Sequence, residues 1–176
     1  ERGLTAIDPM VVLSNAAASS PTGQVRAEQL LQEAETRCVQ TARPALGAHD
    51  LVRVTHERGM KVAIVSNNGA KAIHTYLDLH GLTAFVLDVI GRDPDDASLM
   101  KPHPYLMHRT MAATGCGPHQ AVFVGDSITD VVAGLAAGIP VIGFANKPFK
   151  FQTLATAGAD VLVTGMGRIT DALATP

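Results

Sequence analysis

Short apolar runs that alternate with helical patterns constrain the fold of this chain more than any other feature. The runs lie at 61–66, 85–90, 121–124, 139–142 and 160–163. Wholly apolar strands are typical of sheets that are buried on both faces, and helical connections make neighbouring strands parallel. The pattern therefore predicts an α/β fold, a Rossmann-like doubly wound parallel sheet.

The beginning of the chain has a different pattern. Apolar residues recur at helical spacing over 24–42. A second helical segment covers 47–58, and Gly59 directly follows it. Glycine readily adopts the left-handed conformation that often ends a helix. Two helices are therefore predicted before the first long strand.

Composition and charge exclude several classes of protein. The 176 residues are 47 % hydrophobic and 17 % charged, which is typical of a globular protein. A formal net charge of -2 offers no basic face for nucleic acid, and the apolar runs are far too short to span a membrane. Cys38 and Cys116 lie far apart in unlike contexts, so we expect reduced thiols in a cytoplasmic protein.

Two carboxylates follow the third apolar run. Asp126 and Asp130 lie in the sequence Gly-Asp-Ser-x-x-Asp, directly after Val122-Phe123-Val124. Magnesium prefers oxygen ligands and is usually held by one or two carboxylates together with substrate phosphate. Zinc is a poor match, since no histidine or cysteine accompanies the pair. The motif therefore predicts a magnesium site at the end of this strand.

Two further polar groups are expected at the same edge of the sheet. Ser66-Asn67-Asn68-Gly69 leads from the first strand into a helix, and Lys101 lies in the loop after the second strand. Backbone N–H groups at a helix start bind anions, and a lysine can neutralise a phosphoryl oxygen. Ligands bind at the carboxyl ends of parallel strands, so these groups predict a phosphate site beside the carboxylates.

Each group also has a plainer structural explanation. Asp126 could cap the following helix, Asp130 could be an exposed helical carboxylate, and Ser66 could belong to an ordinary strand-to-helix turn. Lys101 alone could be a solvated loop residue. The coincidence of all of them at one edge favours the functional interpretation.

The combination resembles the haloacid dehalogenase-like hydrolase superfamily, specifically its phosphatase and sugar phosphomutase members with a helical cap. The resemblance rests on a strand ending in Ser-Asn, a Lys-Pro and a strand ending in Gly-Asp-Ser-x-x-Asp, in that order. It implies that Ser66 and Lys101 are catalytic and that Ser66, Asn67, Asn68 and Lys101 bind phosphate.

The resemblance also assigns the carboxylates and the cofactor. Asp126 would be a direct ligand of Mg²⁺, and Asp130 would be a second ligand or the partner that holds the waters of the metal. Residues 1–43 would be the distal part of a helical cap, and residues 44–176 a core that lacks its first strand.

The first motif of the family, Asp-x-Asp at the end of a strand, has no match. Asp8 is the nearest candidate, but Met10 stands at the position of the second carboxylate and cannot transfer a proton. We interpret Asp8 as a loop aspartate of the cap. We expect the nucleophile in a missing N-terminal segment, which either belongs to the same protein or is supplied by another chain, so that this chain alone would be inactive.

The predicted function is a magnesium-dependent phosphatase that hydrolyses a small phosphorylated metabolite through an aspartyl-phosphate. A sugar phosphomutase would use the same core and return the phosphoryl group to the sugar. A non-catalytic phosphate-binding pseudoenzyme is the alternative from a different class.

Overall fold

The computed structural model describes residues 8–175, which contain eight α-helices and five β-strands. The helices are α1 (Pro9–Ser19), α2 (Pro21–Val39), α3 (Ala48–Glu57), α4 (Ala70–Leu79), α5 (Tyr105–Thr114), α6 (Ile128–Ala136), α7 (Pro148–Ala157) and α8 (Gly167–Ala174). The strands are β1 (Ala63–Val65), β2 (Asp88–Ile90), β3 (Phe123–Gly125), β4 (Val141–Phe144) and β5 (Val161–Val163).

All strand pairs are parallel, as predicted. β1 pairs with β2, with Ala63 opposite Asp88, and β4 lies between β3 and β5, with Gly143 paired to Gly125 on one side and Leu162 on the other. Within residues 8–175 these strands form two hydrogen-bonded sets, β1–β2 and β3–β4–β5. The parallel α/β architecture of the prediction is confirmed.

Helices cover both faces of β1. Ile64 packs in a cluster with Val52 of α3 and Leu77 of α4. Val65, the next residue, contacts the cluster around Met107 of α5, which also includes Phe123 of β3. Successive strand residues point to opposite faces, so one strand is packed on two sides and the α5 cluster joins the two strand sets.

Four of the five predicted strands were longer than the observed ones, whereas β4 has the predicted length but begins two residues later. Thr83–Phe85 is a short 3-10 turn, and β2 begins only at Asp88. Phe85 packs on Leu82 and Val89, so its apolar character reflects core packing and not a strand. Assigning Phe85 to β2 was therefore wrong.

Helix α1 was not predicted. Pro9 occupies its first turn, and the Asp8 carboxylate accepts a hydrogen bond of 2.9 Å from the Met10 N–H. Asp8 is exposed and caps this helix; the residues before it, where a strand leading to Asp8 would have to lie, are outside the described residues. The Asp-Pro pair is a helix-start signal, but the helix after it has little amphipathic character.

Helices α1 and α2 pack against each other and onto the core. Leu13 of α1 is buried with Ala97 and Met100, in the segment between β2 and α5, and α2 contacts α4. The division of the chain at residue 43 stays a prediction. In the part of the chain described here, no helix has both the length and the apolar character needed to cross a membrane.

Candidate active site

The residues singled out after three different strands surround one cavity. The cavity has a volume of about 340 Å³, and its lining includes Ser66, Lys101, Asp126 and Asp130. Val65 of β1 lines the same space as Val124 of β3. The carboxyl ends of both strand sets therefore meet here, as the sequence predicted.

The turn after β3 is shaped by a capping box. The Ser127 hydroxyl accepts the Asp130 N–H at 3.1 Å, and the Asp130 Oδ2 accepts the N–H groups of Asp126 at 3.0 Å and Ser127 at 3.1 Å. A Cβ at Gly125 would lie 2.3 Å from the Asp130 Cβ, so only glycine admits this approach. The motif residues thus hold the backbone of the turn.

Asp130 also holds Lys101. The Lys101 Nζ donates to the Asp130 Oδ1 at 2.6 Å and to the Val65 carbonyl oxygen at 3.3 Å. Both side chains are 9 % exposed, and the Phe123 ring centre lies 5.6 Å from the ammonium. The lysine therefore bridges β1 and the β3–α6 turn. Asp130 is a buried partner of Lys101 and not the exposed helical carboxylate of the plainer explanation.

Asp126 is the accessible carboxylate of the motif. Its side chain is 46 % exposed, and its Oδ2 accepts the Lys150 Nζ at 2.5 Å and the Asn146 Nδ2 at 3.0 Å. Sequence reasoning missed both partners. Asn146 lies just beyond the carboxyl end of β4, so the same strand-end rule could have found it, whereas Lys150 reaches Asp126 from α7.

The turn after β1 has its polar groups engaged by protein. The Ser66 hydroxyl accepts the Asn68 N–H at 3.1 Å, and the Gly69 N–H donates to the Glu35 Oε2 at 2.9 Å. The Asn67 side chain forms a reciprocal pair with the Lys101 backbone, with distances of 2.8 and 2.9 Å. Ser66 lines the cavity, while Asn67 fixes the backbone of the lysine.

The phosphate-binding roles of Asn67 and Asn68 therefore stay predictions. The geometry favours Asn67 as a residue that positions Lys101. Two backbone N–H groups expected to be free at the helix start, those of Asn68 and Gly69, already have acceptors. Ser66 and Lys101 remain the groups best placed to meet an anion in the cavity.

The donor chemistry around the cavity suits a hard cation. Asp126 offers carboxylate oxygen with partial access to solvent, while both oxygens of Asp130 accept hydrogen bonds from protein. Within residues 8–175, no cluster of three or more His, Cys, Asp or Glu side chains could hold a metal alone. Magnesium commonly binds through one or two carboxylates and several waters, so this donor set fits it.

These features define an α/β protein with a lysine, a hydroxyl and an accessible carboxylate gathered at the carboxyl ends of parallel strands. Residues 8–144 match the family described as haloacid dehalogenase-like hydrolase, and the chain belongs to this family. The resemblance inferred from the motifs is thereby confirmed.

Curated relatives of this chain carry the names of phosphatases. A phosphoglycolate phosphatase of Photobacterium profundum is 27 % identical over 125 residues, 71 % of this chain and 54 % of the relative. The pyrophosphatase PpaX of Bacillus pumilus is 34 % identical over 96 residues, 54 % of this chain and 44 % of the relative. The chain spans about half the length of these relatives.

Solved structures show the same fold. A hydrolase from Pseudomonas syringae superposes with a TM-score of 0.77 at 19 % identity, covering 94 % of this chain and 77 % of that one. A HAD phosphatase from Thermococcus onnurineus gives a TM-score of 0.63 at 24 % identity, covering 83 % and 63 %. These similarities confirm the fold and carry no information about the substrate.

Proposed function

We propose that the protein is a magnesium-dependent phosphatase that hydrolyses a small phosphorylated metabolite. The observation that carries the proposal is the meeting of Ser66, Lys101 and Asp126 around one cavity of about 340 Å³. That volume suits a small ligand. Family membership and the phosphatase names of the relatives support the reaction class.

Lys101 and Ser66 are the groups that would bind the phosphoryl oxygens. The Asp130 carboxylate and the Val65 carbonyl hold the lysine ammonium at the edge of the cavity. A fixed positive charge stabilises the negative charge that develops on a transferring phosphoryl group, without reorganisation during the reaction. The Ser66 hydroxyl can donate to a second oxygen of the same group.

Asp126 would hold Mg²⁺, and Asp130 would fix the backbone of the turn that carries Asp126. When bound, magnesium would neutralise charge on the phosphoryl oxygens. The chain's own contribution is to keep the Asp126 backbone in place, because Asp130 accepts the Asp126 N–H at 3.0 Å. Asp126 is also paired with Lys150, which compensates its charge in this structure.

The attacking carboxylate is proposed to come from outside residues 8–175, from a segment placed between β1 and β3. Val65 and Phe123 line the cavity from these two strands, which belong to different hydrogen-bonded sets. The carboxylate oxygen would bond to phosphorus as the bond to the leaving alkoxide breaks and the alkoxide takes up a proton. Water would then hydrolyse the aspartyl-phosphate to release inorganic phosphate.

The helical hairpin α1–α2 is proposed to be part of a cap that excludes water and selects the substrate. We propose the cytoplasm as the compartment of the protein, because Cys38 and Cys116 lie far apart in unlike sequence contexts. The partner of the site would be a small phosphorylated metabolite, and the net charge of -2 does not favour nucleic acid.

The test is Asp126→Asn in the full-length protein, with Asp95→Asn on the exposed loop as the control. We expect phosphate release from small phosphomonoesters to fall at least about a hundredfold in the first variant and to stay unchanged in the second. Unchanged turnover of Asp126→Asn contradicts the metal role. An isomerised sugar phosphate as the product would indicate a phosphomutase, and phosphate binding without turnover a pseudoenzyme.

A further inference from the structure

A buried arginine joins helix α2 to the core. Arg92, just after β2, has a fully buried side chain that donates to both oxygens of Glu28, at 2.6 and 2.9 Å. Its Nη1 also donates to the Glu35 Oε1 at 2.6 Å. Glu28 and Glu35 are seven residues apart on α2, two helical turns, so they present both carboxylates on one face.

The same arginine contacts the turn after β1. Its Nη1 donates to the Asn67 carbonyl oxygen at 3.1 Å, and its backbone N–H donates to the Asn68 carbonyl oxygen at 3.1 Å. A Cβ at Gly91 would lie 2.5 Å from the Ala70 backbone nitrogen. Glycine before the arginine therefore lets this segment lie directly against the start of α4.

Glu35 completes the connection from the other side. One oxygen accepts from Arg92, and the other accepts the Gly69 N–H at the start of α4. Two carboxylates facing one guanidinium leave a negative charge, and the positive end of the α4 dipole is well placed to compensate it. A Cβ at Gly69 would lie 3.3 Å from the Glu35 Oε2, so the absence of a side chain there eases the contact.

The electrostatics favour a permanently charged Arg92. Burial would lower its pKa, but hydrogen bonds and charges from Glu28 and Glu35 together outweigh burial and raise it. A charged donor with several acceptors in fixed positions holds geometry more firmly than neutral groups do.

The connection continues to the candidate active-site lysine. Asn67, whose carbonyl contacts Arg92, pairs through its side chain with the backbone of Lys101, whose ammonium reaches Asp130. Hydrogen bonds thus run without a break from α2 through Arg92 and Asn67 to Lys101.

We propose that Glu35 and Arg92 are positioning residues, which transmit the placement of helix α2 to the turn that carries Ser66 and to Lys101. A shift of α2 would then move the residues that bind the anion. The position of α2 and the affinity of the cavity for phosphate would therefore be coupled. Glu28 anchors Arg92 but does not touch the turn. The functional consequence rests on the proposed function, whereas the structural coupling does not.

The chain offers a matched pair of variants. Glu35→Ala and Glu28→Ala each remove one buried partner of Arg92, with side-chain exposures of 10 % and 12 % in the native protein. Only the first also removes the acceptor of the Gly69 N–H. Amide hydrogen exchange of Gly69, measured by NMR in the full-length protein relative to globally exchanging core amides, is the primary readout. Binding of inorganic phosphate is the second.

We expect Gly69 exchange to rise about tenfold in Glu35→Ala beyond any global change, and phosphate to bind several-fold more weakly. Glu28→Ala should lower the unfolding midpoint comparably without the selective exchange effect. Glu35→Gln keeps an acceptor for Gly69 and should restore much of its protection; it also serves where Glu35→Ala does not fold. Equal effects of Glu35→Ala and Glu28→Ala on Gly69 would overturn the proposal.

The two proposals fail in different ways. Selective exchange at Gly69 in a protein that binds no phosphate would leave the coupling intact and contradict the proposed function. Phosphate binding that is identical in the native protein, Glu35→Ala and Glu28→Ala would contradict the coupling and leave the function intact.

Discussion

The two strand-to-helix turns at the cavity are similar in outline but are held by different means. After β3, the Asp130 carboxylate accepts two N–H groups of its own turn, three and four residues earlier. After β1, the Gly69 N–H is bound by Glu35, which is 34 residues away on α2. The first turn is determined by its own sequence, and the second depends on tertiary packing.

This difference assigns different roles to the two sides of the site. A turn stabilised by its own residues keeps its geometry when neighbouring elements move. A turn held by a distant helix follows that helix, so a displacement of α2 would act on the turn that carries Ser66, while the turn that carries Asp126 keeps its geometry.

The largest effect is expected for Arg92→Met. This change leaves two carboxylates unpaired in a buried position, and breaking such an ion pair from one side typically costs about 3–5 kcal/mol in unfolding free energy. Urea unfolding should show this loss. If the two turns are independent, amide exchange at Asp126 and Ser127 will rise only as much as global stability falls.

Arg26→Met is the control for that loss. Arg26 lies on the exposed side of α2, where its Nη1 donates to the Gln29 Oε1 at 3.3 Å. Its replacement should change the unfolding free energy by no more than about 0.5 kcal/mol. A similarly small change in Arg92→Met would contradict the stabilising role of the buried ion pairs of Arg92 with Glu28 and Glu35.

Gly125→Ala tests the turn after β3, which is held by its own residues. The added Cβ would lie 2.3 Å from the Asp130 Cβ, so the capping carboxylate must move. We expect a loss of about 1–3 kcal/mol in unfolding free energy, typical of overpacking, together with weaker phosphate binding because Asp130 also holds Lys101. Chemical denaturation and phosphate titration measure the two effects.

Gly165→Ala is the matched glycine control, since a Cβ there would meet nothing within 4 Å. It should leave the unfolding free energy and the affinity for phosphate nearly unchanged. Exchange at Gly69 should follow only global stability in Gly125→Ala; a selective increase there would show that the two turns are not independent.

The contrast between the turns also explains what the sequence could predict. Gly125, Asp126, Ser127 and Asp130 lie within six residues, so their type and spacing alone predicted the turn and a magnesium site. The pairing of Asp130 with Lys101 was not predicted. The parallel strands and most helices were equally accessible, because hydrophobic periodicity is a local signal.

Long-range partners could not be predicted in this way. Arg92 and Glu35 are 57 residues apart, and nothing in either local sequence indicates that the two side chains meet. Lys150 is likewise brought to Asp126 by the packing of α7 across β4. Helix α1 was missed because its sequence is nearly uniform in polarity, so the stabilising face appears only when Leu13 packs on the core.

The smallest effect is expected on lowering the pH, which should destabilise the contact between α3 and α4, next to β1, before it destabilises the region after β3. His49 of α3 lies 3.0 Å from the Tyr76 hydroxyl of α4, and burial lowers its pKa below 6.5, helped by nearby His80 and Arg53 and opposed by Asp50. Neutral His49 therefore favours folding above pH 6.5, and this contribution is lost as pH falls through the folded-state pKa.

Lowering the pH from about 7.5 to about 5.5 should therefore reduce protection of α4 amides more than that of α6 amides. His49→Gln should flatten this difference, because it removes the titrating ring at the contact with α4. His108→Gln, at an exposed position on α5, should leave it unchanged. Equal loss of protection in α4 and α6 would show that acid acts on the whole fold. The two turns would then share one response to pH, although they are held by different contacts.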